Sequence, residues 1–169
     1  MAVKTSFLAQ GATFSPDGTY RYRLWRRWEG ETQAIVAFVM LNPSTADAER
    51  LDPTVRRCFG FARDWGFGGM EVVNLFALRS TYPELLKKVE DPVGPYDDAA
   101  ILAALKSSDL AFVSWGVHGR LRARDREVMG LAEGICDLCC LGTTKAGDPL
   151  HPLRQPKRLK PVPYRNVMR

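Results

Sequence analysis

The sequence predicts an α/β domain of three layers: a central four-stranded parallel sheet, helices on both faces and an N-terminal β-hairpin. Three observations carry that expectation. Four apolar runs recur, at 34–41, 70–76, 110–115 and 135–141. The first is continuously apolar rather than alternating, as a strand covered on both faces is. Stretches with helical spacing separate them, and strands alternating with helices build parallel sheets.

Taken in order, residues 12–28 read as the hairpin. Ser15-Pro16-Asp17-Gly18 supplies its turn, because Pro presets the bend and Gly accepts positive φ. Tyr20, Tyr22 and Leu24 then alternate with Arg21 and Arg23, the period of a half-buried strand. With Arg26 and Arg27 these arginines form a basic stripe, partly offset by Glu29 and Glu31. The first apolar run follows. Asp52-Pro53 opens a helix, Asp as cap and Pro at its first position, and Gly66, Gly68 and Gly69 close it. After the second run a short helix fits Pro83–Val89 and a longer one Tyr96–Lys106. The third run ends at Gly116, a charged helix fits Arg122–Glu133, and the fourth run is Ile135–Leu141. Residues 151–169, rich in proline, are expected to lie extended over the surface as a basic tail.

At 169 residues the chain fits one domain, 1–169, with 1–33 as the hairpin extension. A 46% hydrophobic and 25% charged composition excludes disorder, collagen-like repeats and coiled-coil rods. The formal charge of +5 is unevenly placed. Six of the 24 basic residues lie in 151–169, with none of the 19 acidic ones, which leaves 18 against 19 elsewhere. No apolar run approaches the ~20 residues that cross a bilayer, so no membrane partner is expected. Met1–Gln10 has one lysine and no apolar stretch of signal length. Cytoplasmic, reduced thiols are expected for Cys58, Cys136, Cys139 and Cys140. Adjacent Cys139 and Cys140 should point to opposite faces of their strand.

In open parallel sheets ligands bind beyond the carboxyl ends of the strands. After the first run stand Asn42, Pro43, Ser44 and Thr45, with Asp47 the nearby carboxylate that lacks an evident structural duty. The second ends with Asn74 and Phe76, the third with Trp115, Gly116 and His118, and the fourth delivers Lys145, His151 and Pro152. Asn74, in an apolar strand, must satisfy its amide, either on a neighbouring loop or on a ligand edge. Trp115 and Phe76 are core residues or stacking platforms. No phosphate-binding glycine loop, nucleophile elbow or metal-ligand spacing is present, and no metal or organic cofactor is implied.

Met40-Leu41-Asn42-Pro43-Ser44 resembles the water-activating motif of the uracil-DNA glycosylase superfamily, in the branches that carry Asn-Pro rather than Asp-Pro. Val72-Val73-Asn74-Leu75 is similar to its base-reading strand, Phe112 to Gly116 to its third strand, and His151-Pro152 to its late His-Pro motif. Leu41 to Asp47, Asp52-Pro53-Thr54, Asn74-Leu75-Phe76 and His151-Pro152-Leu153 also look like the signature of an uncharacterised bacterial and phage family, a domain of unknown function. The glycosylase resemblance implies a hydrolase that releases a base from nucleic acid, DNA favoured, or from a nucleotide. Asn42 would orient water, Asn74 read the base and His151 stabilise the leaving group. Arg154, Lys157 and Arg158 would meet phosphates. Leu153 stands where many glycosylases have Ser, so one phosphate contact is missing. Asn42 cannot be a general base. Both departures favour the alternative, a non-catalytic nucleotide or nucleic-acid binding domain. Nothing in the sequence fixes an oligomeric state.

Overall fold

The computed structural model describes residues 6–165. One sheet runs through it, built from β1 (Ala9–Phe14), β2 (Arg21–Arg27), β3 (Ile35–Met40), β4 (Gly69–Asn74), β5 (Leu110–Val113), β6 (Leu138–Cys140) and β7 (Val162–Pro163). The helices are α1 (Pro53–Asp64), α2 (Leu85–Lys88), α3 (Asp97–Ser107) and α4 (Arg124–Ala132), with a 3-10 segment, Val117–Ala123, before α4.

The α/β class holds, but the sheet has seven strands rather than four, in the order β1-β2-β4-β3-β5-β6-β7. The four expected strands are the central ones, and β4-β3-β5-β6 pair parallel. The hairpin is no appendage. Its second strand pairs antiparallel with β4, so β1 and β2 extend the same sheet. Side chains alternate across the sheet as the pleat requires. Val36, Phe38 and Met40 pack in one apolar layer with Val55, Cys58 and Phe59 of α1. Ala37, Val39 and Leu41 pack in the other with Ile101 and Leu105 of α3 and Val128 of α4. Cys139 contacts the first layer and Cys140 the second, as their adjacency requires.

Local signals explain the element boundaries. Gly18 has φ 74° and its N–H returns to Ser15 O at 2.9 Å, closing the expected turn. Asp52 caps α1 by accepting from Val55 N at 2.8 Å, with Pro53 in the first turn.

Two departures have identifiable causes. Simple alternation puts Arg21 and Arg23 on one exposed face, yet Arg21 is only 2% exposed. Thr13 pairs with Arg23 but Phe14 with Arg21, so Tyr22 is an extra residue on β2, a β-bulge. A bulge re-aims the chain beyond it. Arg23 therefore reaches Glu71 at 2.5 Å, while Arg21 reaches Asn74, and those partners lie three apart on β4, on opposite faces. Arg26 is also fully buried, donating to Asp47 O at 2.7 Å and pinning the loop after β3.

The second departure is the tail. It is not merely draped over the surface. Trp65 Nε1 donates to Leu159 O at 2.9 Å, and Arg57 donates to Gln155 O. Val162 then pairs with Cys140, making β7 an edge strand, where proline is tolerated. Tyr164 stands edge-on to Trp115, ring centres 5.9 Å apart. Arg169, counted with the tail's charges, lies outside the described residues.

Candidate functional site

The chain leaves each parallel strand at the same edge of the sheet, and the loops there enclose a cavity of about 500 Å³. Much of its wall is apolar, from Met40, Leu41, Val72 and Trp115, and polar side chains including Arg21, Asn42, Asp52, Asn74 and His151 are set into it. That is the composition of a small-molecule or base pocket. Asn42, Asn74 and His151, which come from three separate strand ends, all line it.

Asn42 leaves β3 and its amide nitrogen faces backbone carbonyls, Pro43 O at 3.1 Å and Ser80 O at 2.8 Å. Ser80 N returns the bond to Pro43 O, so the loops after β3 and β4 lock together. With Nδ2 so engaged, Oδ1 remains as an acceptor without a protein donor among the described residues. Asn74 is 2% exposed. Its Oδ1 accepts from Arg21 Nη2 at 3.4 Å, and its Nδ2 donates to no protein group among the described residues.

His151 is placed by the loop after β6. Leu150 O accepts from Ser114 Oγ at 2.5 Å, and Pro149 O from Gly116 N at 3.0 Å. Gly116 makes that contact with φ 71° and ψ −163°, a combination essentially confined to glycine. Nδ1 of His151 accepts from Leu153 N at 3.3 Å, so the neutral ring carries its proton on Nε2. Burial pushes His151 below its ordinary pKa, against the opposing pull of Asp52. The folded state thus favours the neutral ring. Its contribution to stability is complete above pH 6.5 and is lost as pH falls through the depressed value. An NMR titration of the ring should give a midpoint below 6.5. A midpoint at or above that value would show that the imidazole is not desolvated.

Other expected residues fall in different places. Pro43, Ser44, Trp115 and Gly116 line the cavity. Phe76 does not, since it is fully buried in the layer with α3 and α4. Thr45 and Lys145 are exposed and outside the lining, and Pro152 is buried beside it. Asp47 does have a structural duty. Its carboxylate accepts from Glu49 N at 2.9 Å and Arg50 N at 2.8 Å, which holds its pKa low and assigns it to a turn. Arg154, Lys157 and Arg158 are exposed and outside the lining: Arg154 follows Leu153 directly, while Lys157 and Arg158 lie between the contacts of Gln155 with Arg57 and of Leu159 with Trp65, along α1. His118 is at the rim, exposed.

Sequence reasoning missed two groups. Arg21 enters the cavity because of the bulge. Burial lowers its pKa to about 10, so the guanidinium is still charged at neutral pH. Asp52 reads as a helix cap, and the cap is real, but only Oδ1 makes that bond. Among the described residues it is the carboxylate that lines the cavity. Its place just before a helix, facing the sheet's carboxyl edge, was the available signal.

The family described as "Protein of unknown function (DUF1643)" matches residues 21–153. The chain belongs to this family. The DUF1643 segment starts at Arg21 and stops at Leu153, the first and last residues that line the cavity. β1 and the basic tail beyond Leu153 fall outside the DUF1643 segment. No curated protein and no solved structure matches the chain significantly. No helix among the described residues is long and apolar enough to cross a membrane.

Proposed function

We propose that this DUF1643 protein is a base-acting N-glycosylase of uracil-DNA glycosylase-like fold, holding a flipped base or a nucleotide's base at the carboxyl ends of β3, β4 and β5. The observation that carries the reading is the convergence of Asn42, Asn74 and His151 on one cavity with complementary free groups. Asn42 Oδ1 accepts from a water and aims it at the sugar carbon. Asn74 Nδ2 donates to the base edge. His151 Nε2–H donates to a base oxygen that gains charge as the glycosidic bond breaks. The carbon left behind becomes oxocarbenium-like, and the Asp52 carboxylate offsets its positive charge. A transition state of that kind needs little from the nucleophile, so a positioned water suffices without a strong base. No cofactor is required by this chemistry. Taking the base out of a duplex is the expected route for chemistry on it. Nucleic acid, DNA favoured, is the proposed partner. The four free cysteines fit a reducing cytoplasm.

The test is a panel of duplex and single-stranded substrates holding uracil, mismatched thymine, alkylated bases and hypermodified pyrimidines. Release of at least one base is expected. Protein that leaves all intact and binds none is not base-acting. Binding without release points to the non-catalytic alternative, which the lack of basicity at Asn42 favours.

Contact of the tail's charges with a phosphate backbone is part of this reading, supported by Arg154 following Leu153 of the cavity lining. Truncation would remove β7 and Tyr164 along with the charges, so charge reversal is the cleaner probe. The triple change Arg154→Glu, Lys157→Glu, Arg158→Glu should weaken nucleic-acid binding. It should also flatten the log K–log salt slope by about 1 for each phosphate that is no longer neutralised. An unaltered slope would make these side chains bystanders.

A further inference from the structure

Arg21 is a buried cation with no carboxylate in direct contact. It makes no ion pair among the described residues. Its Nη1 donates to Ala46 O at 3.0 Å, its Nη2 to Asn74 Oδ1 at 3.4 Å, and its Nε has no partner among the described residues. Burying an unpaired guanidinium is costly unless something in the site uses the charge. The bulge at Tyr22 is what brings it there, and bulges that re-aim a side chain concentrate near functional sites.

The geometry at Asn74 indicates the use. With Oδ1 turned to the guanidinium, Nδ2 is left for the cavity. Turning the amide over would set its NH₂ against the N–H groups of Arg21, donor against donor. We propose that Arg21 is a positioning residue that fixes the Asn74 amide and thereby makes the site select a base edge bearing a carbonyl oxygen over one bearing an amino group. The inference rests on the base-binding reading and adds to it the residue that sets the sense of recognition. An amino group placed against Nδ2 leaves both donors without an acceptor in a buried site, the arrangement that discriminates most strongly. The guanidinium behind the amide also polarises it, so Nδ2–H becomes the better donor as charge builds on the ligand oxygen.

The test compares two single-stranded deoxyoligonucleotides that differ only at one central nucleotide, deoxyuridine or deoxycytidine, each carrying a 2′-fluorine that blocks release of the base, bound to the full chain. Their backbone contacts are identical and cancel in the ratio of dissociation constants. Wild type should prefer the deoxyuridine strand by at least about fivefold. Arg21→Met, which keeps length but removes charge and donors, should bring the ratio to within about twofold of unity, while Arg21→Lys should keep most of the preference. A merely structural arginine would weaken both strands together and leave the ratio intact, and that result overturns the proposal. So does a wild type indifferent to the two bases. If Arg21→Met does not fold, a lost preference in Arg21→Lys, with melting unchanged, overturns it as well, and a kept preference there supports it. No binding of either strand, or of free uridine, sinks the base-binding reading itself, an outcome distinct from binding without preference.

Discussion

Replacing Asn42 by alanine should lower turnover on a cleavable base by about 10²–10³-fold and leave affinity for the same strand within about threefold. The amide is expected to act on the water, not on the base. Its nitrogen is engaged with Pro43 O and Ser80 O, so its orientation is set before any ligand arrives. Losing it removes one oriented acceptor from the transition state and little from the ground state, and an effect of that kind appears in kcat rather than KM. The same bonds tie the loop after β3 to the loop after β4, so alanine also costs roughly 1 kcal/mol of stability for each hydrogen bond removed. A melting curve alongside the kinetics separates the two effects. Cleavage at the wild-type rate by Asn42→Ala would remove Asn42 from the mechanism. An inert wild type and an inert variant with equal affinity would make the protein a binding domain.

Arg124→Ala should be the most damaging change outside the cavity, destabilising by about 3–5 kcal/mol, or roughly 6–20 °C in Tm. Arg124 is 2% exposed at the start of α4. Its Nε donates to Leu75 O at 2.7 Å, and its Nη2 lies 2.6 Å from Asp98 and 3.3 Å from Asp97. It therefore joins α4 to α3 and to the end of the strand that carries Asn74. Alanine would leave Asp97, fully buried, without a cation. Burial already pushes the Asp97 carboxyl up to about 8, the cost of desolvation exceeding the attraction of Arg124. A folded-state pKa raised above the unfolded value of about 3.9 contributes stability that is present below pH 4. That contribution is lost as pH rises through the folded value near 8. Without Arg124 the carboxyl rises further, so the loss in Tm should be larger at pH 8 than at pH 5. Adding Asp97→Asn should recover part of it at pH 8. A Tm loss of less than about 2 °C at both pH values would mean that the buried network holds little.

How far the sequence could be read depended on the range of the forces involved. Gly18, Asp52-Pro53 and Gly66 act through bonds to neighbours within a few residues, and each turn, cap or stop stands where its chemistry places it. The apolar runs became the central strands because burial on both faces leaves no alternation. Their ends were less legible. Met70 to Phe76 reads as one run, yet β4 ends at Asn74: Leu75 N still donates to Met40 O, the last residue of β3, and Phe76 N donates to Leu41 O in the loop beyond. The tail shows no strand pattern at all. β7 exists because β6 offers an unpaired edge and Trp115 offers Tyr164 a surface, neither of which is local.

The cavity divides in the same way. Asn42, Asn74 and His151 could be named in advance, since residues that end parallel strands share one edge of the sheet whatever the details of packing. Arg21, Asp47 and Phe76 could not be placed. One extra residue in a strand inverts the facing of all that precedes it, and hydrophobic period cannot register a single insertion. Asp47 looked free until two backbone N–H groups folded onto it, and Phe76 looked like a platform until its side of the sheet was known. The sequence by itself determined the strands, their helices and the edge where chemistry could sit, because these follow from local bonding and burial. Which side chains face inward at that edge, and with what charge behind them, was decided by register and by loops meeting across the sheet.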